Sequence, residues 1–399
     1  MKRFLLVSDL HATDEDPSSS NASSYVSSYS ASASARLDPI SELEAVIRDD
    51  KLEPDYILCP GDITNRSNPR AFTYAWDRLN KLALSCGAKL IATVGNHDLD
   101  SRYKENRFDP RGYIMSIKPQ IPVAERERFL EFWAENFTVI SEADCNIVVL
   151  NTAAYHGGGK EVAAEIEHGR ISELTLLAIA EAIRVAPKAD TNVLLCHHHP
   201  IKGDQGDIEF VGQTRGGEKL IELLEKARSS WILIHGHKHV PDIFYGHGGA
   251  NAPIIVGCAS FSAQVNADSQ NKNPNQFHFL VTDPAGARSE GLTTAGSLLS
   301  WTWQPGVGWS KPYRGVVGLP HFAGFGFRGS VRVLVDQVND LLNAKGTSYE
   351  TWPNAVAAVT GLERLIPTDF DAFEAALSDS GLNILNNRDG SPAQIGRNT

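Results

Sequence analysis

The chain has 399 residues, enough for two or three structural units, and its 42% apolar and 21% charged residues make an ordinary globular balance. With 37 Lys and Arg against 48 Asp and Glu the formal charge is −11, which argues against a general polyanion-coating role, since such proteins carry a basic face. A local phosphate site built on metal ions stays open, because their charge would outweigh that background.

The run Phe4-Leu5-Leu6-Val7 is too short for a signal-peptide core, and no later run approaches the ~20 apolar residues of a membrane span. Cys59, Cys86, Cys145, Cys196 and Cys258 are scattered without a CxxC pair. They read as reduced, mostly core thiols. The expectation is a cytoplasmic protein that does not engage membranes.

Brief Val/Ile/Leu runs followed by polar residues or glycine predict buried strands at 4–7, 56–59, 90–94, 147–150, 193–196, 231–234 and 254–257. Between them lie amphipathic helices. Phe72, Trp76, Leu79 and Ala83 recur at helical spacing, as do Leu220, Leu223 and Leu224 after Gly216-Gly217, and a helix starts from Ser172. This alternation predicts an α/β protein with helix-covered sheets. Two stretches break it. Residues 17–35 are nearly all Ser and Ala, which predicts a long surface loop, either a tolerated insertion or an active-site lid. After Asp283-Pro284 glycine and aromatics become dense, and then Val331, Leu334, Val335, Val338, Leu341 and Leu342 mark a helix stopped by Gly346. A further helix lies near 370–377. The expected division is a catalytic domain at 1–284, including the 17–35 loop, and a C-terminal accessory domain at 285–399.

Histidine placement carries the chemistry. Eight of the 13 histidines fall in four clusters, each after a predicted strand: Asp9-Leu10-His11, Gly95-Asn96-His97-Asp98, His197-His198-His199-Pro200 and His235-Gly236-His237-Lys238-His239. Another strand ends in Gly61-Asp62. In α/β proteins, residues at the carboxyl ends of strands point into the crevice where sites form. These supply imidazole, carboxylate and amide oxygen but no thiolate, which suits Mn, Fe or Zn and argues against a closed cysteine-rich zinc site. They suffice for two ions if one carboxylate bridges, the usual clamp for displacement at phosphorus.

The ordered blocks D-x-H, G-D, G-N-H-D, H-x-P and G-H-x-H, spanning residues 9–239, resemble the calcineurin-like metallophosphoesterase superfamily. Any one block is weak; five in family order are specific. The resemblance implies a four-layer α/β/β/α sandwich of two mixed sheets, with a dinuclear centre at one end. It implies Asp9, His11 and His239 on one ion, Asp62 as the bridge, and Asn96, His198 and His237 on the other. His198 is chosen because the family's ligand is followed by one residue and then proline. His97 would serve the leaving group as general acid or stabiliser, with Asp98 orienting its ring; His199 and Asn96 would touch substrate.

Asn151-Thr152 and His168-Gly169-Arg170-Ile171 are similar to the bacterial cyclic-nucleotide phosphodiesterase-like branch, although Asn151 stands where that branch usually has Asp. The implied activity is hydrolysis of a nucleotide-type or other small phosphodiester by a metal-bridging hydroxide, with two divalent ions, manganese first and iron or zinc as alternatives. A metal-dependent DNA nuclease and a non-catalytic metal-binding scaffold are the rivals; the −11 charge disfavours nucleic acid as the substrate. The C-terminal unit could serve oligomerisation, substrate capping or docking to a protein partner.

Overall fold

The computed structural model describes residues 1–19, 22–29, 38–101, 103–105, 108–156, 168–202, 212–227, 229–247, 251–264, 273–388 and 390–398. In chain order the elements begin with β1 (Arg3–Leu6), α1 (Pro39–Asp49), β2 (Tyr56–Cys59), α2 (Pro69–Cys86) and β3 (Lys89–Ala92). Next come α3 (Gly112–Ser116), α4 (Arg126–Glu135), β4 (Phe137–Glu142), β5 (Cys145–Leu150), α5 (Glu173–Val185), β6 (Thr191–Leu195), α6 (Gly217–Lys226) and β7 (Trp231–His235). The chain continues with β8 (Asp242–Tyr245), β9 (Ile254–Gly257), β10 (Gln276–Thr282), α7 (Pro284–Glu290), β11 (Gly296–Gln304), β12 (Gly308–Ser310) and β13 (Phe322–Phe325). It closes with α8 (Val331–Lys345), β14 (Tyr349–Thr351), α9 (Trp352–Ala358), a 3₁₀ turn (Leu362–Arg364), α10 (Pro367–Asp379), β15 (Leu382–Asn386) and β16 (Pro392–Arg397).

The first sheet runs β12-β11-β10-β1-β2-β3, with β13 also on β11. Its β1, β2 and β3 are parallel, whereas β10 and β11 are antiparallel to their neighbours. The second sheet runs β4-β5-β6-β7-β9-β8 and is parallel from β5 through β9. Side-chain alternation sorts the second sheet's two faces. Ile147, Val149, Val193, Leu195, Ile232 and Ile234 join the core shared with the first sheet and with α1 and α2. Val148, Leu150, Leu194, Cys196 and Leu233 pack instead under α5 and α6. Helices, sheet, sheet and helices make four layers. Local chemistry starts these helices: Asn68 accepts from the backbone N–H of Arg70 and Ala71, and Ser172 caps α5 by accepting from Thr175.

Two features depart from the sequence expectations. The described part of the Ser/Ala-rich stretch, residues 17–19 and 22–29, packs in part against the first sheet's loops. Residues 20, 21 and 30–37 lie outside the described residues, but Ala22, Ser24 and Val26 are buried. Ser24 Oγ donates to Leu10 O at 2.8 Å, and Thr13 N donates to Val26 O at 3.0 Å. The first sheet also runs past residue 284, because β11, β12 and β13 extend it. We therefore draw the junction near residue 326.

Beyond that junction α8, α9, α10 and the β14-β16-β15 sheet enclose a separate core around Val338, Leu342, Phe373 and Leu377. This unit is anchored where the parallel strands begin. Arg364 pairs with Asp283 at 2.7 Å and Glu290 at 2.8 Å, just after β10 ends beside Lys2. Tyr245 Oη, at the end of β8, donates to Phe327 O at 2.9 Å. Among the described residues no helix is long and apolar enough to cross a membrane.

Candidate metal centre

The five blocks follow β1, β2, β3, β6 and β7, and they meet at the carboxyl ends of these strands. The backbone there is bent against preference. Asp9 (φ 50°), His11 (46°), Asp62 (51°), His237 (78°) and His239 (56°) all adopt the left-handed region. Such residues cost on the order of 1–3 kcal/mol each and persist only where the surroundings hold them. The hold is visible: Ser260 Oγ donates to Asp9 O at 2.6 Å, and Ser262 Oγ and Ser24 Oγ both donate to Leu10 O. Two glycines are required by close approach. A Cβ at Gly95 would strike the Asp62 carboxylate, and one at Gly236 would strike that of Asp9.

Around Asp9 the groups converge. Its carboxylate accepts from Ser8 Oγ and from His237 N at 3.1 Å. Its Oδ1 lies 3.4 Å from His239 Nε2 and 3.8 Å from His11 Nε2. Asp62 accepts the backbone N–H of His97 on Oδ1 at 2.8 Å. Its Oδ2 faces His11 Nε2 at 3.6 Å and His197 Nε2 at 3.3 Å. Asn96 Oδ1 stands 3.1 Å from both His197 Nε2 and His237 Nδ1.

The geometry brings His197 beside His198 as a candidate ligand, with the two rings 4.8 Å apart and both within ligand reach of His237. His197 faces Asp62 and Asn96, with its Nδ1 bound to Pro60 O at 2.9 Å. His198 turns to Thr152, whose Oγ1 lies 2.8 Å from His198 Nδ1 and accepts its backbone N–H. Val193 and Leu195 face the inter-sheet core and Cys196 the helix layer, and beyond the strand end the His198 ring stands 4.5 Å from that of His237. His199 is buried, with its ring 6.1 Å from that of His237.

His97 stands beside His11, ring centroids 4.7 Å apart. Asp98 is not its orienting partner. That carboxylate accepts from Thr64 N at 3.0 Å and Gly95 N at 2.9 Å, tying two site loops together. Asn65 takes the orienting place, its Oδ1 3.0 Å from His97 Nδ1. Sequence reasoning passed over Asn65, Ser260 and Thr152; of these only Thr152, beside the noted Asn151, carried any signal.

Electrostatics follow from burial and crowding. Burial pushes the Asp98 carboxyl up to about 7, and the charge of Asp62 adds to it. For His197, burial favours the neutral ring, but the charge and hydrogen bond of Asp62 outweigh it and raise the group to about 9. His11 is lowered to about 3 by burial and then by His97. Three buried carboxylates and several buried imidazoles in one place form a set that a cation would balance.

The donors fit metal ions. Asp9, His11 and His239 present ligand atoms within 4.8 Å of one another, as do Asp9, Asp62 and His197, and also His197, His198 and His237. His11 Nε2 and His239 Nε2 face each other at 2.9 Å, where only one can carry a shared proton. His198 Nε2 is buried with no hydrogen-bond partner. All are nitrogen or oxygen donors, suited to divalent first-row ions.

The family model Calcineurin-like phosphoesterase matches residues 2–241, and a second, wHTH-Calcineurin_assc, matches residues 323–379. The chain is 25% identical over 166 residues to a cAMP/cGMP dual specificity phosphodiesterase of Mycobacterium tuberculosis, covering 41% of this chain and 42% of that protein. It is 24% identical over 196 residues to a 3',5'-cyclic adenosine monophosphate phosphodiesterase of Vibrio vulnificus, covering 49% and 55%. The chain thus spans about half the length of the curated relatives it matches. A solved protein serine/threonine phosphatase from Saccharomyces cerevisiae aligns at 11% identity over 72% of this chain and 74% of its own, with a TM-score of 0.28. The chain belongs to the calcineurin-like phosphoesterase family.

Proposed function

We propose that this calcineurin-like phosphoesterase uses two divalent ions to hydrolyse a small phosphodiester of the nucleotide type. One observation carries the reading: Asp62 Oδ2 stands between an imidazole from each sheet's loops, 3.6 Å from His11 and 3.3 Å from His197. Asp9, His11 and His239 would hold one ion and Asn96, His197 and His237 the other, with Asp62 shared. Manganese is the first choice, and iron or zinc would take the same donors. When bound, such ions acidify a water and neutralise charge on the phosphoryl oxygens.

The remaining work belongs to the chain. The His237 N–H and the Ser8 hydroxyl fix the Asp9 carboxylate, so its rotamer is set before any ion arrives. His97 Nδ1 lies 3.0 Å from Asn65 Oδ1 and 3.3 Å from the Arg66 backbone N–H, and from its place beside His11 the ring would hold or pass a proton at the departing oxygen. Two relatives named as cyclic-nucleotide phosphodiesterases support the substrate class.

The test is metal-supplemented hydrolysis of a panel of cyclic AMP, cyclic GMP, mononucleotides, phospholipid headgroups and single- and double-stranded DNA. Turnover of a cyclic nucleotide or other small diester, abolished by chelation and restored by Mn²⁺, is expected. Turnover of monoesters alone would overturn the diester reading, and turnover of DNA alone would favour a nuclease. Two bound ions with no turnover would favour a scaffold.

A further inference from the structure

Away from the metal centre, the first sheet and the C-terminal unit enclose a cavity of about 320 Å³. That volume is on the order of ten times the share of one water, and it lies within the ~300–1,000 Å³ of small-molecule pockets. One wall is the connection carrying Lys311 and Arg314, together with β13. The other is formed by Trp352 at the start of α9, Leu362, Phe370 on α10 and, from the β15–β16 hairpin, Gly390, Ser391 and Pro392.

We propose that this cavity is a binding site for a small, flat aromatic anion, of the aryl carboxylate type. The aromatic part follows from the walls. Trp352 and Phe370 lie 5.9 Å apart at an interplanar angle of 56°, with Leu362 and proline side chains filling out an apolar lining. A planar ring gains most from such contacts, and little of it would remain in water. The anionic part follows from charge. Among the described residues the charged side chains lining the cavity are the cations Lys311 and Arg314 and one carboxylate, the exposed Glu363, while Asp50, Asp371 and Glu374 meet the two cations from outside the lining.

Arg314 is the key group. Its guanidinium stands 3.8 Å from the centroid of the Phe370 ring, which fixes its plane, and its side chain is 21% exposed. Its carboxylate partner, Asp371 at 2.6 Å, is 70% exposed and therefore weakly held in water. A guanidinium has donors to spare, so a ligand carboxylate can join or replace Asp371 with two parallel hydrogen bonds. Lys311, paired with Asp50 at 3.1 Å, adds a second cation at the rim. The occupant would touch both units at once.

The test needs no metal and no hydrolysis, so it stands apart from the phosphodiesterase reading. Titration calorimetry on the full chain compares 2-naphthoate with 2-naphthylmethanol, the same ring without the charge. Saturable binding of one naphthoate per chain is expected, about tenfold or more tighter than the alcohol, the effect of one charge-assisted hydrogen bond. Arg314→Gln, with unchanged melting, should bring the two probes within about threefold of each other. Equal affinity of both probes for the wild type would mean an apolar occupant and overturn the proposal. So would no binding of either at about 1 mM, or a preference that survives Arg314→Gln. If that variant fails to fold, Arg314→Lys decides: retained preference for the acid supports the site, and its loss overturns it.

Discussion

Where β1, β2, β3, β6 and β7 end, five non-glycine residues sit in left-handed backbone and buried carboxylates crowd buried imidazoles. In the C-terminal unit, local preferences are satisfied. There α8 stops at Gly346 with φ 61°, which glycine adopts freely, and the core is Val338, Leu342, Phe373 and Leu377. Joining the unit to the strand-start end, Arg364 meets two carboxylates that offset its charge. The contrast teaches that the metal end is a mould, held in shape by serines and by the sheets, while the C-terminal unit and its anchor are ordinary structure.

The largest effect should come from Asp62→Ala. If one carboxylate serves both ions, both are lost, and hydrolysis should fall more than about a thousandfold, the scale on which a whole catalytic unit disappears. Elemental analysis showing two retained ions in that variant would break the bridging assignment. Next is His97→Ala, expected to keep both ions while losing about 10²–10⁴-fold on an alkyl diester and far less on a nitrophenyl diester. Equal losses on the two substrates, with metal intact, would leave His97 as a positioning residue.

A third substitution pair separates the two adjacent candidates. His197→Ala should lose one of two ions, whereas His198→Ala should keep both and weaken metal affinity by about 10–100-fold, as partners behind a ligand do. The reverse ranking would favour His198. Counting back from Pro200 points to His198, whereas the alternation of Val193 and Leu195 against Leu194 and Cys196 points to His197.

Most of the rest was legible because strand ends and their polar residues are local features. The strands at 56–59 and 254–257, the Ser172 cap and the Gly346 stop are where the pattern put them. Asn65 was not legible, because its contact with His97 exists only after two loops from different strands come together. Nor was the reach of the first sheet to Phe325, since β11 joins it by pairing with β10, and β12 and β13 by pairing with β11, away from the chain's parallel core.

The smaller effects belong to the C-terminal unit. Phe373→Ala should cost about 3–5 kcal/mol of that unit's stability, read by differential scanning calorimetry, while metal content and turnover stay within about twofold. Metal loss in a folded Phe373→Ala protein would show that the unit and the metal end are coupled after all. Smallest is Glu350, lowered to about 2 by its hydrogen bonds from Lys345, Asn354 and the Thr351 N–H. A depressed carboxyl stabilises above its ordinary value and loses that contribution as pH falls through the folded value. Melting temperature should therefore decline between about pH 4.5 and pH 2 in part through this group. Glu350→Gln should flatten that part of the profile, and an unchanged slope would remove Glu350 from the account.

The partners of the metal end are far apart along the chain: His11 meets His239 across 228 residues. A ribosome adding roughly 5–20 residues per second needs about 11–46 s to make that stretch. Throughout that interval the early half of the centre exists without the late half. A nascent chain therefore cannot present the whole candidate ligand set before His239 is made.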